Sequence, residues 1–206
     1  MTSNRPTIST FGCRLNIWES ELIRQHATHA SLNNTVIFNT CAVTSEAEKQ
    51  ARQAIRKAKR EQPERQIIVT GCAVQINPEK WLEMAEVDNV IGNHEKLLQD
   101  SWQRLKTNQL SDMEVTDISE ITETAAHMID SFEEHTRGFL QIQQGCNHRC
   151  SFCIIPYGRG PSRSIAAGQV VESVRTLCAN GTKEVVLSGI DLTSWGQDLP
   201  GNPKLG

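Results

Sequence analysis

Cys146, Cys150 and Cys153 fall in the run Gly145-Cys-Asn-His-Arg-Cys-Ser-Phe-Cys153, a C-x3-C-x2-C spacing. Three thiolates on one short loop can hold three corners of a cubane iron–sulfur cluster and leave the fourth iron without a protein ligand. An iron left open in this way can bind a small molecule, whereas a fully ligated cluster only passes electrons. The plainer alternative is a zinc loop. Structural zinc takes four protein ligands, usually as a C-x2-4-C pair joined by a second, distant pair. The sequence holds no second close pair. His148 lies inside the loop between two of the cysteines and is a poor fourth ligand.

A second set lies in the N-terminal half. Cys13, Cys41 and Cys72 are far apart in sequence, but each stands at the same point of a similar unit. Thr7-Ile-Ser-Thr-Phe11 leads to Gly12-Cys13, Thr35-Val-Ile-Phe-Asn-Thr40 to Cys41, and Gln66-Ile-Ile-Val-Thr70 to Gly71-Cys72. Each cysteine is then followed by a helical pattern. Strand alternating with helix implies parallel strands. The C-terminal ends of parallel strands share one edge, where open α/β sheets bind ligands. Three cysteines would then converge on one rim as a second metal or cluster site. The alternative is three small, buried, unreactive side chains, which is common for free cysteine.

Around these cysteines the pattern predicts the elements that must position them. Leu15, Trp18, Leu22 and Ile23 form a helical stripe. Ser45 and Glu48 read as a capping box, followed by a buried face of Ala47, Ala51, Ala54, Ile55 and Ala58. Asn77-Pro78 opens a third helix, Val87–Ile91 is a fourth strand, and a helix over 94–106 closes an N-terminal domain spanning 1–106. The basic run Lys49, Arg52, Arg56, Lys57, Lys59, Arg60 and Arg65 reads first as a solvated helix face and second as a patch for RNA phosphates. Residues 107–136 form an acidic linker with Asp112, Glu114, Asp117, Glu120, Glu123, Asp130, Glu133 and Glu134. The second domain, 137–206, opens with the alternating strand Gly138–Gln143, continues with a helix over 167–179 and returns through the strand Glu184–Ser188. On that helix Val171, Val174, Leu177 and Cys178 read as one buried face. Two strands and one helix are far fewer than a (β/α) barrel needs, so this domain reads as incomplete and the chain as truncated.

Composition narrows the class. Of 206 residues, 38% are hydrophobic and 22% charged, and the formal net charge is −3. These values suit an ordinary core and give no overall basic signature. The N-terminus has no apolar signal core, and no run is long enough to span a bilayer. Seven cysteines in a chain without an export signal speak for thiols used on metal in a reducing, cytoplasmic setting.

Four runs together carry a resemblance: Thr10-Phe-Gly-Cys-Arg-Leu-Asn16 with Glu19; Asn39-Thr-Cys-Ala-Val-Thr44; Thr70-Gly-Cys-Ala73 with Gln75; and Gln144 through Arg163. The chain resembles the methylthiotransferases of the radical S-adenosylmethionine (SAM) enzymes, which attach a methylthio group to tRNA or to a ribosomal protein. The Gly-Cys-Arg-Leu-Asn and Asn-Thr-Cys-Ala-Val-Thr runs are most similar to the branch acting on N6-threonylcarbamoyladenosine at position 37 of tRNA. The branches acting on isopentenyladenosine or on a ribosomal protein are the runners-up. An iron–sulfur redox module or an inactive fragment is the non-enzyme reading.

The resemblance implies an α/β fold, an open parallel-sheet domain followed by the first part of a radical SAM barrel. It implies two 4Fe-4S clusters, the SAM-cleaving one on Cys146, Cys150 and Cys153 and an auxiliary one on Cys13, Cys41 and Cys72. It implies S-adenosyl-L-methionine as co-substrate, the tRNA anticodon loop as partner, a cellular electron donor and a sulfur donor; the chain itself is expected to be a monomer. Phe152 fits the cofactor-loop pattern, and Asp191, at a barrel strand end, is a candidate contact for SAM. Arg159, Arg163 and Tyr157 are candidate substrate contacts, the arginines for phosphate and the tyrosine for stacking on a base. Asn16 and Gln75 are candidate donors to the cluster sulfurs.

Overall fold

The computed structural model describes residues 5–107, 109–122 and 137–205. The rest of the expected linker, with Glu123, Asp130, Glu133 and Glu134, lies outside the described residues, as do residues 1–4 and Gly206.

The N-terminal half runs β1 (Thr7–Thr10), α1 (Arg14–His29), β2 (Thr35–Thr40), α2 (Ser45–Glu61), β3 (Gln66–Gly71), α3 (Cys72–Ile76), α4 (Glu79–Leu82), β4 (Asn89–Ile91), α5 (Gln99–Lys106) and β5 (Met113–Glu114). All five strands are parallel and lie in chain order. β2 is buried along its whole length, as a central strand covered on both faces must be. Alternation sends Val36, Phe38, Ile67, Val69 and Val90 to one face, against Ala51 and Ile55 of α2 and Trp81. Ile37, Ile68 and Ile91 face the other way, against Ile23 and Ala27 of α1 and Trp102 and Leu105 of α5. Ile55 and Ile68 are fully excluded from solvent, so truncating either to alanine would cost about 2–5 kcal/mol.

Several expected boundaries move. The cap of α2 is Thr44, whose hydroxyl accepts from the Ala47 N–H, and Ser45 is already the first helical residue. α2 stops at Glu61, and Arg65 beyond it is anchored to the Thr35 carbonyl at 2.5 Å. The helix expected from Asn77-Pro78 is short, and Asn77 accepts from the Lys80 N–H at 3.3 Å. The closing helix is broken at Leu98, whose backbone is extended, into a 3-10 turn over 95–97 and α5. β5 falls within the expected linker and adds a fifth strand, because Val90 and Gly92 both find carbonyl partners there.

The second half runs β6 (Gly138–Gln141), β7 (Gln143–Gln144), α6 (Ile155–Arg159), β8 (Arg163–Ser164), α7 (Ala167–Ala179) and β9 (Val185–Ser188). β6 and β9 pair in parallel, with α7 connecting them. β7 and β8 pair antiparallel and close the ends of the Cys146–Cys153 loop. Leu140, Ile142 and Trp195 form a small core with Val170, Val174 and Val185 around it. The inward face of α7 is Val170, Val174 and Leu177. Val171 and Cys178 are exposed, so the expectation of a buried Cys178 is corrected: its position on the helix turns it outward. Among the described residues no helix is long and apolar enough to cross a membrane.

Candidate functional site

The parallel register brings the first cysteine set together. Thr10 pairs with Asn39 and Thr40 with Gly71, so the chain leaves β1, β2 and β3 at one edge. Cys13 caps the N-terminus of α1, where unpaired N–H groups favour an anion. Gly12, at φ +103°, permits the approach: a Cβ there would lie 2.7 Å from Cys41 Cβ and 2.8 Å from its sulfur. Gly71, at φ +104°, lies against the Thr40 backbone, which a Cβ would meet at 2.3 Å. Cys41 is buried, Cys72 half-buried and Cys13 exposed. Burial pushes the Cys41 thiol up, the Val43 N–H partly offsets this, and the charges of Cys72 and Cys13 push it up further.

Hydrogen-bond donors approach two of these sulfurs, those of Cys41 and Cys72. The Val43 N–H lies 3.5 Å from Cys41 Sγ, Asn93 Nδ2 lies 3.7 Å from Cys72 Sγ, and Arg159 Nε donates to Cys72 Sγ at 3.1 Å. Behind them Glu19, Lys96 and Arg159 form a solvent-excluded charge cluster, with Lys96 Nζ 2.7 Å from Glu19 Oε2 and Arg159 Nη1 on Glu19 Oε1. Burial raises Glu19, but Arg159 and Lys96 outweigh it and hold the carboxyl below the ordinary range. The donor set fits a cluster. Soft thiolates select iron–sulfur or zinc, and N–H groups aimed at sulfur are what a cluster uses around its ligands. Among the described residues only Cys146, His148 and Asp191 bring three ligand atoms within 4.8 Å of one another, as a single ion needs.

The second set is built locally. The Cys146 N–H donates to the Gly160 carbonyl at 3.1 Å, Asn147 Oδ1 accepts from the Ser162 N–H at 2.9 Å, and the Cys153 N–H closes onto the Cys150 carbonyl at 3.0 Å. Buried Gln143 ties this loop to the end of β9: its Oε1 accepts from the Ile190 and Asp191 N–H groups at 2.8 Å, and its Nε2 donates to the Gly145 carbonyl at 2.7 Å. Cys150 is exposed, and Cys146 and Cys153 are half-buried. His148 reaches Asp191 at 3.1 Å, and the Asp191 carboxylate also accepts from Thr193 and Ser194. Those hydroxyls, Ser194 foremost, hold Asp191 below the usual carboxylate range.

The other expected contacts divide. Phe152, within the loop, is 90% exposed, and Tyr157, in the helix that follows it, is 63% exposed. Arg159 and Arg163 are both buried and bonded within the chain, unlike the exposed phosphate contacts expected of them. Arg159 turns inward to Glu19, Asn16 and Cys72, and Arg163 donates to the carbonyls of Ile121, Pro161 and Arg159. Asn16 stands beside Cys13, with Oδ1 3.8 Å from its sulfur, while its Nδ2 donates to the Phe11 and Thr40 carbonyls. Gln75 touches no sulfur. Its Oε1 accepts from the Asn93 N–H, and it is Asn93 that reaches Cys72. Asn93, Gln143 and Lys96 escaped sequence reasoning, because a lone amide or lysine near a strand end has no pattern of its own. The basic face of α2 is largely neutralised, through Arg52–Glu48, Arg56–Glu86, Lys57–Glu61 and Lys59–Asp88, with Arg52 stacked 4.3 Å over Trp81.

The two halves meet. Trp18 and Leu22 of α1 pack with Phe139 of β6, and Arg14 lies 6.0 Å over the Phe139 ring. Between them opens a cleft of about 510 Å³, with Gly12, Cys13 and Leu15 on one wall and Ser188, Gly189 and Ile190 on the other.

Residues 5–92 match the family described as uncharacterized protein family UPF0004, and residues 140–197 match the radical SAM superfamily. The chain is 55% identical over 97% of its length to the threonylcarbamoyladenosine tRNA methylthiotransferase MtaB of Rickettsia prowazekii (strain Madrid E), covering 46% of that protein. It is 35% identical over 92% of its length to MtaB of Bacillus subtilis (strain 168), covering 44% of it. It is 33% identical over 98% of its length to the ribosomal protein uS12 methylthiotransferase RimO of Anaeromyxobacter sp. (strain K), covering 45% of it. The chain thus spans about half the length of the curated relatives it matches. A solved radical S-adenosylmethionine methyltransferase, TsrM of Kitasatospora setae, shares the fold at a TM-score of 0.53 and 11% identity, over 93% of this chain and 48% of that one. The chain thus carries a UPF0004 region followed by a radical SAM region, and over nearly its whole length it is similar to curated methylthiotransferases.

Proposed function

We propose that this chain is the part of a tRNA methylthiotransferase that holds two 4Fe-4S clusters and S-adenosylmethionine, and that the enzyme attaches a methylthio group to C2 of N6-threonylcarbamoyladenosine at position 37 of tRNA. The observation that carries this reading is that Arg159, at the end of the helix that follows the Cys146–Cys153 loop, donates to Cys72 of the other set, while the cleft between the halves has Cys13 on one wall and the end of β9 on the other. Cys146, Cys150 and Cys153 would hold the cluster with an open iron, and Cys13, Cys41 and Cys72 the auxiliary one. When bound, these groups supply the one-electron and sulfur-transfer chemistry that acid–base side chains cannot deliver at an aromatic C–H.

The chain's own residues prepare the site. Gln143 ties the cysteine loop to the end of β9, which carries the Ser188–Ile190 wall of the cleft. Asp191, ionised and partly exposed, is suited to the ammonium group of SAM. Exposed Phe152 and Tyr157 offer aromatic faces to SAM and to a base drawn from its stack. An anticodon loop, already unpaired, lowers the cost of extruding that base. The electron and sulfur donors come from the cell, the setting is the cytoplasm, and the working unit is a monomer. The 55% identity to the Rickettsia enzyme supports this nucleoside over the ribosomal-protein target.

The test is mass spectrometry of tRNA nucleosides from cells lacking the full-length gene, complemented with wild type or with Cys41→Ala. Loss of the methylthio group from threonylcarbamoyladenosine alone, restored only by wild type, is the expected result. Loss confined to isopentenyladenosine overturns the substrate. Unchanged tRNA with an unmodified ribosomal protein overturns the tRNA reading.

A further inference from the structure

A buried guanidinium must have its N–H groups matched or it destabilises the fold. Arg159 ends α6, shortly after Cys153, and is 1% exposed. It points away from its own cysteine loop and into the other cysteine set. Its Nη1 and Nη2 are held by Glu19, and Nη2 also donates to Asn16 Oδ1 at 2.5 Å. That grip leaves the Nε edge facing Cys72 Sγ at 3.1 Å. Glu19 is shared with Lys96, which also donates to Asn39 Oδ1 at 3.3 Å. Two basic side chains thus share one carboxylate, and the surplus positive charge lies toward the sulfurs.

Cys72 is also the sulfur approached by Asn93, whose amide bonds the Gly158 carbonyl of α6 at 2.5 Å. Both of its donors therefore depend on α6. Cys41, by contrast, receives a backbone N–H from its own strand end.

We propose that Arg159 is a positioning residue of the Cys13, Cys41 and Cys72 cluster, supplied by the other domain, which bonds the Cys72 sulfur and raises that cluster's reduction potential. The proposal rests on the reading that these three cysteines hold a cluster. Reduction adds negative charge, and a charge-assisted N–H bond to a ligand sulfur stabilises the reduced form in a low-dielectric site. Glu19 acts through Arg159, aiming its Nε edge and damping its charge. Lysine at 159 would keep the charge and lose the fork that Glu19 aligns. It follows that the fold of the loop carrying one cluster conditions the other.

The test uses the chain with Cys146, Cys150 and Cys153 all changed to alanine, so that only the first set can hold iron. The cluster-loaded protein is titrated with dithionite and followed by electron paramagnetic resonance. Arg159→Gln shifts the midpoint to lower potential, Arg159→Lys shifts it less, and Glu19→Gln shifts it upward. A merely structural role would lower iron content without moving the potential in opposite directions. A second measurement reads the contact itself: protein labelled with 15N-arginine gives a nitrogen coupling to the reduced cluster in pulsed resonance, and Arg159→Lys abolishes it. A bound cluster with no arginine coupling and an unchanged midpoint overturns this proposal and leaves the ligand reading intact. No cluster in the triple-alanine protein overturns the ligand reading and this proposal with it.

Discussion

The two cysteine sets are built in opposite ways. Cys13, Cys41 and Cys72 come from three separate strand ends and meet only because β1, β2 and β3 pair in parallel register. Cys146, Cys150 and Cys153 share one loop, closed by a two-residue ladder and a few backbone bonds. The first site is a product of the whole sheet and is backed by buried charge. The second is a local loop, largely exposed, resting on a small core. Damage to the fold should therefore reach the first site before the second, while damage to one thiol in the loop should leave the fold intact.

The strongest way to separate them is Glu19→Ala. It leaves Arg159 and Lys96 buried without their carboxylate, an arrangement that costs about 3–5 kcal/mol. Urea unfolding should show that loss, and iron on the first set should go with it. Next comes Gly12→Val. A β-branched residue at φ +103°, pressed on Cys41, should cost about 1–3 kcal/mol and remove iron from the first set while the second keeps its own, read by iron analysis and resonance spectra. Cys150→Ala inverts the pattern: SAM cleavage disappears, but the urea midpoint moves by less than the equivalent of about 0.5 kcal/mol, because the side chain is exposed.

The smallest effect concerns the last turn of α1, where His26 bonds the Leu97 carbonyl. Burial lowers His26 from its ordinary range, the Leu97 carbonyl only partly offsets this, and His29 lowers it further. The neutral ring is the form that the fold prefers. Its contribution is therefore complete above the ordinary imidazole range and is lost as pH falls through the lowered value. His26→Gln keeps a donor for Leu97 and should flatten the decline in stability between about pH 8 and about pH 5, measured by urea unfolding at each pH.

Much of this was legible in the residues. The strand–cysteine–helix repetition announced both the parallel sheet and the shared rim, because period-2 apolar runs and helical stripes are strong local signals. The C-x3-C-x2-C loop is visible by spacing alone. What stayed hidden depended on distance. Arg159 and Arg163 read as surface groups, since the sequence does not show that Glu19 and a set of carbonyls wait for them across the domain boundary. Gln75 is near Cys72 in the chain, yet Asn93 from beyond β4 reaches the sulfur. Cys178 shared a plausible helical face with Leu177, but α7 rests on Val170 and Val174 and turns the thiol out. Adjacent positions on a weakly amphipathic helix differ too little for the sequence to choose the buried arc.

The central claim is that two separate clusters are held by two differently built cysteine sets, and iron counting with Mössbauer spectroscopy tests it most directly. The wild-type chain is reconstituted without oxygen beside two variants, one with Cys13, Cys41 and Cys72 changed to alanine and one with Cys146, Cys150 and Cys153 so changed. The account predicts about eight irons per chain in wild type and about four, as a single 4Fe-4S cluster, in each variant. A variant retaining Cys13, Cys41 and Cys72 that binds no iron, or binds only zinc, would contradict it.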